Sequence, residues 1–259
     1  MTPRRAPGPS PGVSVILLAA GYGTRLYPLT KDLPKALLPL DGGVVLDAIV
    51  NALKTVPQGA RTVLVTNHRF VGAFREWQAN RRLDIQILDD GTSTPETRCG
   101  AIRDLQFGLE PIGPDEDLLV LGTDNLFTWS LGQFVAFGRD HWPSPSVAVR
   151  QLASKDEARR CGVVELDAAA RIRTFVEKPH EPPSLLGALC VYYFPAPSRG
   201  RIQEFVDRGG NVDAPGYFLE WLVTEEATYG MVTQGDWYDI GSVESYQEAS
   251  RRWAALKPV

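Results

Sequence analysis

Two cations and two glycines stand close together near the start of the chain. After the apolar run Val13–Ala20 the sequence reads Ala20-Gly21-Tyr22-Gly23-Thr24-Arg25, and Lys35 follows within Leu-Pro-Lys-Ala-Leu-Leu-Pro. Glycines let a backbone approach a ligand closely and adopt positive φ, and successive free amides form a concavity that binds anions. Arg adds a planar fork for phosphate oxygens and Lys a compact charge. Together they suit a triphosphate. The turn is not a dinucleotide fingerprint, because Leu26 stands where the third glycine would be, and no Gly-Lys-Ser/Thr follows to make a P-loop. Ala20, Gly21, Gly23, Thr24 and Arg25 are therefore candidate nucleotide-binding residues, and Arg25 and Lys35 candidates for the chemistry.

Three carboxylates complete the set. Asp124 closes an apolar run in Leu-Gly-Thr-Asp-Asn, Asp239 lies in Trp-Tyr-Asp-Ile-Gly, and Glu177 lies in Phe-Val-Glu-Lys-Pro beside Lys178. Mg²⁺ is a hard cation that takes one or two carboxylates with phosphates and water, which Asp124 and Asp239 could supply. Taken alone, an Asp after a strand also serves as a turn residue or N-cap, and Asp239 could cap the closing helix in the same way. A carboxylate such as Glu177 accepts hydrogen bonds from paired hydroxyls, and a neighbouring Lys offsets phosphate charge.

The elements that must position these residues alternate. VSVILLAA, RTVLVTN, LDIQILDD and DLLVLGTDN read as strands, the first and last almost wholly apolar as in a sheet buried on both faces. Between them, 44–56, 70–82 and 99–112 carry helical spacing. This βαβ order predicts a parallel, doubly wound sheet with right-handed crossovers and a ligand edge at the strands' C-terminal ends. The later half predicts strands at 146–152, 161–167, 171–179 and 187–195, helices at 202–210 and 216–225, and then a strand, a polar turn and a closing helix over 231–256.

The stretch Leu-Ala-Ala-Gly-x-Gly-Thr-Arg-Leu-x-Pro-Leu-Thr-x-x-x-Pro-Lys-x-Leu-x-Pro, from Leu18 to Pro39, resembles the signature of the sugar-1-phosphate nucleotidylyltransferases, or NDP-sugar pyrophosphorylases, of the glucose-1-phosphate thymidylyltransferase type. The resemblance runs from about Val13 to Tyr246. It implies an α/β fold: a Rossmann-like three-layer sandwich with a mostly parallel central sheet and an inserted, β-rich sugar-binding part. It implies a disordered tail over 1–12 and one nucleotidyltransferase domain over 13–259. It also implies condensation of a nucleoside triphosphate with a sugar 1-phosphate, releasing pyrophosphate, with Mg²⁺ as cofactor. By the same resemblance Arg25 holds the triphosphate and assists pyrophosphate departure, and Lys35 bridges the attacking phosphate and the α-phosphate. Asp124 and Asp239 hold the metal. Glu177 receives sugar hydroxyls, Lys178 meets the sugar phosphate, and Gly162 and Gly187 lie against the sugar.

The chain departs from that pattern in three places. Thr123 is inserted before Asp124, and Cys161 stands before Gly162 where Tyr is common. The segment LDDGTSTPETRCGAI matches the family's base-reading stretch only at Gly100-Ala101, so Gly100 is expected at the nucleotide and Arg98 at phosphate or base. This leaves the base open. It also leaves open a cytidylyltransferase acting on phosphocholine, for which Tyr192, Tyr193 and Trp237 are candidate cage residues, and a nucleotide-sugar-binding regulator without catalysis.

Composition excludes other classes. With 44% hydrophobic residues, 22% charged residues and a net charge of −4, the chain suits a globular protein and not a general nucleic-acid binder. Its three cysteines form no C-x-x-C pair and its three histidines are scattered, which argues for free thiols in a reducing, cytoplasmic setting and against a zinc site. No apolar run is long enough to span a membrane, and the N-terminal residues lack a signal peptide's apolar stretch. Past Ala255 there is no length for a hexapeptide-repeat β-helix, so no attached acyltransferase is expected. Self-association into a homo-oligomer is compatible with this reading.

Overall fold

The structure is a computed structural model that describes residues 12–57 and 61–255. The expected tail over 1–12 lies, Gly12 apart, outside the described residues. The first half runs β1 (Val13–Leu18), the ribbon β2 (Pro39–Leu40) and β3 (Gly43–Val44), α1 (Val45–Leu53), β4 (Thr62–Thr66), α2 (Val71–Arg81), β5 (Gln86–Asp89), α3 (Ala101–Gly108) and β6 (Asp117–Gly122). It continues with β7 (Asn125–Phe127), α4 (Leu131–Asp140), β8 (Ser146–Gln151), α5 (Lys155–Ala158), β9 (Gly162–Leu166), β10 (Ile172–Glu177) and β11 (Leu186–Phe194). α6 (Gly200–Asp207), α7 (Pro215–Glu225), β12 (Tyr229–Val232), β13 (Trp237–Asp239) and α8 (Val243–Trp253) close the described chain.

Nine strands form one sheet. Its path is β10-β9-β11-β6-β1-β4-β5, and β8, paired with β11, carries β12 beside it. The strands β6, β1, β4 and β5 are all parallel, with Leu17 opposite Leu64 on one side and Leu121 on the other. β11 then runs antiparallel to β6, and β9, β10 and β8 add the antiparallel, β-rich part.

Side-chain alternation divides the core into two layers. Val15, Leu17, Leu64, Leu119 and Leu121 pack with α1, α2, α4 and α8, while Ile16, Val63, Val65, Leu118 and Val120 pack with α3, α6 and α7. Alternate residues of a strand point to opposite faces, so a strand buried on both faces must be continuously apolar. This is why β1 and β6 read as almost wholly apolar, with Ser14 and Asp117 the buried polar exceptions. The three-layer sandwich expected from the sequence is present. Among the described residues no helix is long and apolar enough to cross a membrane.

Beyond the short β2, β3 and α5, which carried no expectation, two elements differ from the sequence-based reading. The segment LGQFVAFGRD, which carried no expectation, forms α4, started by the Ser130 hydroxyl accepting from the Gln133 amide. The expected polar turn before the closing helix contains a strand, β13, and the helix is capped by Ser242 rather than Asp239, with the Ser242 hydroxyl accepting from the Ser245 amide at 3.1 Å.

One buried polar contact ties β11 to β6. The Tyr193 hydroxyl donates to the carboxylate of fully buried Asp117, which also accepts from the Ala196 amide at 2.7 Å. Tyr193→Phe removes one donor from that carboxylate. Loss of a partner to a buried polar group costs about 1–3 kcal/mol, so urea unfolding should show a loss of that size with an unchanged m-value.

Candidate active site

The parallel strands deliver their C-terminal ends to one edge, and the glycine-rich turn leaves β1 there. Its backbone is anchored from below: the Thr66 hydroxyl donates to Ala19 O at 3.3 Å and Asn67 Nδ2 to Ala20 O at 2.9 Å. Tyr22 is buried, and its hydroxyl meets Thr92 Oγ1 at 3.0 Å. Gly23 takes φ +62°, a left-handed backbone that favours glycine, and its carbonyl accepts from the Thr30 hydroxyl at 2.7 Å. Gly21 is exposed, and nothing lies within 4 Å of where a Cβ would sit. Among the described residues the amides of Gly21, Tyr22, Gly23 and Thr24 donate to no protein acceptor. The turn therefore offers the free amides that an anion nest requires. Arg25 follows in the 3-10 turn Thr24–Leu26, exposed and facing a cavity of about 720 Å³.

Lys35 enters from a second 3-10 turn, Lys35–Leu37, and its Nζ lies 3.0 Å from Asp124 Oδ2. Asp124 leaves the end of β6 directly. The inserted Thr123 pins that exit to β1, donating from its hydroxyl to Leu18 O at 2.9 Å. Asn125 Nδ2 donates to Asp124 Oδ1 at 2.9 Å. Burial opposes the charge on Asp124, but the Lys35 ammonium, by its charge and its hydrogen bond, and Arg25 after it, hold the carboxyl below its ordinary value.

Asp239 arrives from the other end of the chain. β13 pairs antiparallel with β7 so that Asp239 stands opposite Asn125, and the Ile240 amide donates to Asp124 O at 2.9 Å. Withdrawal from bulk water raises Asp239, and the negative charge of Asp124 raises it further, against the pull of Lys35, Arg25 and Arg150. Both aspartates line the cavity. The donors they bring are oxygens. The Cys190 thiol, which a Cβ on Gly122 would meet at 2.9 Å, is pushed up to about 12, by burial first and by Asp124 next, and stays protonated. An oxygen-only set with two carboxylates fits a hard divalent cation such as Mg²⁺ and not a thiophilic one.

Glu177 also lines the cavity. Its side chain is 7% exposed, and burial raises its carboxyl while Lys178, with Nζ 3.6 Å away, partly offsets the shift. Gly162 and Gly187 line the same cavity, and so does Gly216. A Cβ on Gly162 would sit 2.6 Å from the Phe175 ring, one on Gly187 2.6 Å from Leu152, and one on Gly216 1.8 Å from Glu177 Oε2. Lys178 itself is exposed, with φ +49°, its amide donating to Cys161 O at 3.1 Å.

The structure thus brings together Arg25, Lys35, Asp124, Asp239, Gly162, Glu177 and Gly187. Of the other expected site residues, Ala20, Gly21, Gly23, Thr24, Arg98, Gly100 and Lys178 are not among those that line the cavity. Arg98 is paired with Asp213 at 2.8 Å and does not line the cavity. Gly100, at φ +93°, lies under Val212, whose carbonyl oxygen would be 2.6 Å from a Cβ. Both residues fasten the segment before α3 to residues 211–213. Sequence reasoning missed Gly216, which follows a helix-starting proline and carries no local signal. It also missed Arg150, whose guanidinium lies 4.1 Å over the Trp237 ring and is paired with Glu157. Its one signal is an Arg at the end of an apolar strand. Of the aromatic residues considered as a cage, Tyr193 is fully buried, and Arg150 already covers a face of Trp237.

Known proteins resemble the chain over most of its length. A family model described as nucleotidyl transferase matches residues 14–255, and the chain belongs to that family. Within it the chain groups with the sugar-1-phosphate nucleotidylyltransferases. It is 32% identical over 247 residues to UTP–glucose-1-phosphate uridylyltransferase AglF of Haloferax volcanii, covering 93% of this chain and 96% of that protein. It is 27% identical to the mannose-1-phosphate guanylyltransferase catalytic subunit beta of Drosophila pseudoobscura pseudoobscura, over 91% of this chain but only 61% of that longer protein. Among solved structures, UDP-glucose pyrophosphorylase complexed with UDP-glucose superposes with a TM-score of 0.78 at 20% identity, covering 95% of this chain and 100% of the other, a likeness of fold.

Gly216 yields a direct test. A methyl group there must displace the Glu177 carboxylate. Gly216→Ala should raise KM for the phosphorylated acceptor at least about tenfold, equivalent to ~1.4 kcal/mol. KM for the nucleotide and the melting temperature should move little. Steady-state kinetics with each substrate varied in turn would show it.

Proposed function

We propose that the protein joins a nucleoside triphosphate to a sugar 1-phosphate, giving an NDP-sugar and pyrophosphate, with Mg²⁺ held by Asp124 and Asp239. The observation that carries this reading is the β7–β13 ladder. It sets both aspartates near Lys35 and Arg25 in a cavity that the buried Glu177 also lines. An oxygen of the sugar phosphate attacks the α-phosphorus in line. The bond from the α-phosphorus to the bridging oxygen breaks, and pyrophosphate leaves with that electron pair. The attacking phosphate is already ionised, so no general base is needed.

Catalysis is then positioning and charge neutralisation. The free amides of Gly21–Thr24 and the Arg25 fork receive the triphosphate. Lys35 draws the two reacting phosphates together, its ammonium having three donors of which Asp124 uses one. A bound Mg²⁺ would add charge stabilisation at the phosphates. Glu177 accepts from sugar hydroxyls, and Gly162, Gly187 and Gly216 leave room for the ring. Lys178, beside Glu177, reaches the sugar phosphate. The three free cysteines fit a reducing, cytoplasmic setting.

The similarity to AglF makes UTP with glucose 1-phosphate the first pair to assay. The full assay crosses the five common nucleoside triphosphates with a panel of sugar 1-phosphates and phosphocholine, measuring pyrophosphate release with Mg²⁺ present. Lys35→Ala and Asp124→Ala should each lower kcat by about 10²–10³-fold, the cost of removing one preorganised charge-stabilising group. The variants should keep a cooperative melting transition. Turnover at the wild-type rate in either folded variant would refute these assignments.

A further inference from the structure

A second group of ionisable side chains lies outside the cavity, behind the glycine-rich turn. Asp90 follows β5, Cys99 precedes α3 and Asp104 sits in the first turn of α3. Each offers one ligand atom, and these atoms all lie within 4.8 Å of one another. Asp104 is only 8% exposed, and its Oδ1 is buried without a hydrogen-bond partner. The influences on Asp104 are burial, then the charge and carboxyl of Asp90; those on Asp90 are burial, hydrogen bonds from Thr92, and the carboxylates Asp89 and Asp104. Among the leading influences on the three groups the one cation is Arg103, which acts on Cys99. Burial and Asp90 push Asp104 up to about 7. Two carboxylates packed together without a cation need either a shared proton or a metal ion as counter-charge.

We propose that Asp90, Cys99 and Asp104 form a binding site for a divalent cation of the zinc class, separate from the Asp124–Asp239 pair. Two carboxylate oxygens and one thiolate sulfur make a borderline-soft donor set, suited to Zn²⁺ or Co²⁺ rather than Mg²⁺. Three protein ligands leave an open position, and the cation displaces the Cys99 proton on binding. Its place in the fold gives it a structural role. Asp90 Oδ1 accepts from the Thr92 amide and hydroxyl, both at 2.7 Å, and Thr92 Oγ1 meets the Tyr22 hydroxyl at 3.0 Å. A cation here would join the end of β5 to the start of α3 and stiffen the wall that carries Tyr22, between the two glycines of the turn. This site does not depend on the proposed reaction.

The test uses the full chain, stripped of metal with a chelator and then titrated with Co²⁺ in the presence of excess Mg²⁺. The expected result is a sulfur-to-cobalt charge-transfer absorption saturating at one equivalent. It should vanish in Cys99→Ser, and the cobalt affinity should fall at least about tenfold in Asp104→Asn. Asp239→Asn, which alters only the other carboxylate pair, should leave the absorption unchanged. Zn²⁺ should raise the melting temperature of the wild type but not of the Cys99→Ser/Asp104→Asn double variant. No absorption from the folded wild type, or one that survives Cys99→Ser, would overturn the proposal. So would a melting temperature indifferent to chelator and Zn²⁺ together with a more stable Asp104→Asn, since a shared proton alone would then balance the cluster.

Discussion

The antiparallel pairing of Trp237–Asp239 with Asn125–Phe127 is the constraint on which the site depends. Two aspartates placed side by side repel, and that repulsion adds to desolvation in raising Asp239 above its ordinary range. The short ladder holds them together because its flanks are buried: Leu126, Phe127, Trp129 and Ile240 belong to the same apolar layer as α1 and α4. Burial of apolar surface at about 25 cal/mol per Å² offsets the electrostatic cost of the pair. The Ile240 amide bonded to Asp124 O adds a direct link between the two segments.

Around that pair, charge is balanced locally. Lys35 and Arg25 lower Asp124, and Lys35, Arg25 and Arg150 counter the rise of Asp239. Arg150 is itself held by Glu157 and by the face of Trp237. Trp237 therefore serves twice, since it belongs to the ladder that sets Asp239 and also lies under the Arg150 guanidinium that counters the rise of Asp239. Glycine has two different uses here. Gly23 is needed for its left-handed backbone. Gly162, Gly187 and Gly216 have ordinary φ and are needed for space, because a side chain at any of them would meet Phe175, Leu152 or Glu177.

Much of the frame was legible in one dimension. Strands buried on both faces are continuously apolar, and β1, β4 and β6 announced themselves in that way. The glycine-rich turn was legible because free amides and cations at fixed offsets have few other uses. α4 was not, since glycines at 132 and 138 interrupt the helical spacing of Leu131, Phe134 and Val135. β13 was not, because a three-residue strand exists only through its partner. Arg98 was placed at the nucleotide by position in the chain, yet in the fold its charge is paired with Asp213, distant in sequence.

The sequence by itself determined which residues could bind phosphate, metal and hydroxyl groups, and the order of elements that would carry them, because these follow from side-chain chemistry and from periodicities of neighbouring residues. The tertiary structure alone decided that Asp239 meets Asp124 rather than capping a helix. It also decided that Arg150 and Gly216 shape the cavity, and that Asp90, Cys99 and Asp104 come together. Each of these depends on contacts between segments whose mutual position is set by packing across the sheet, and no local pattern encodes a distance of that kind.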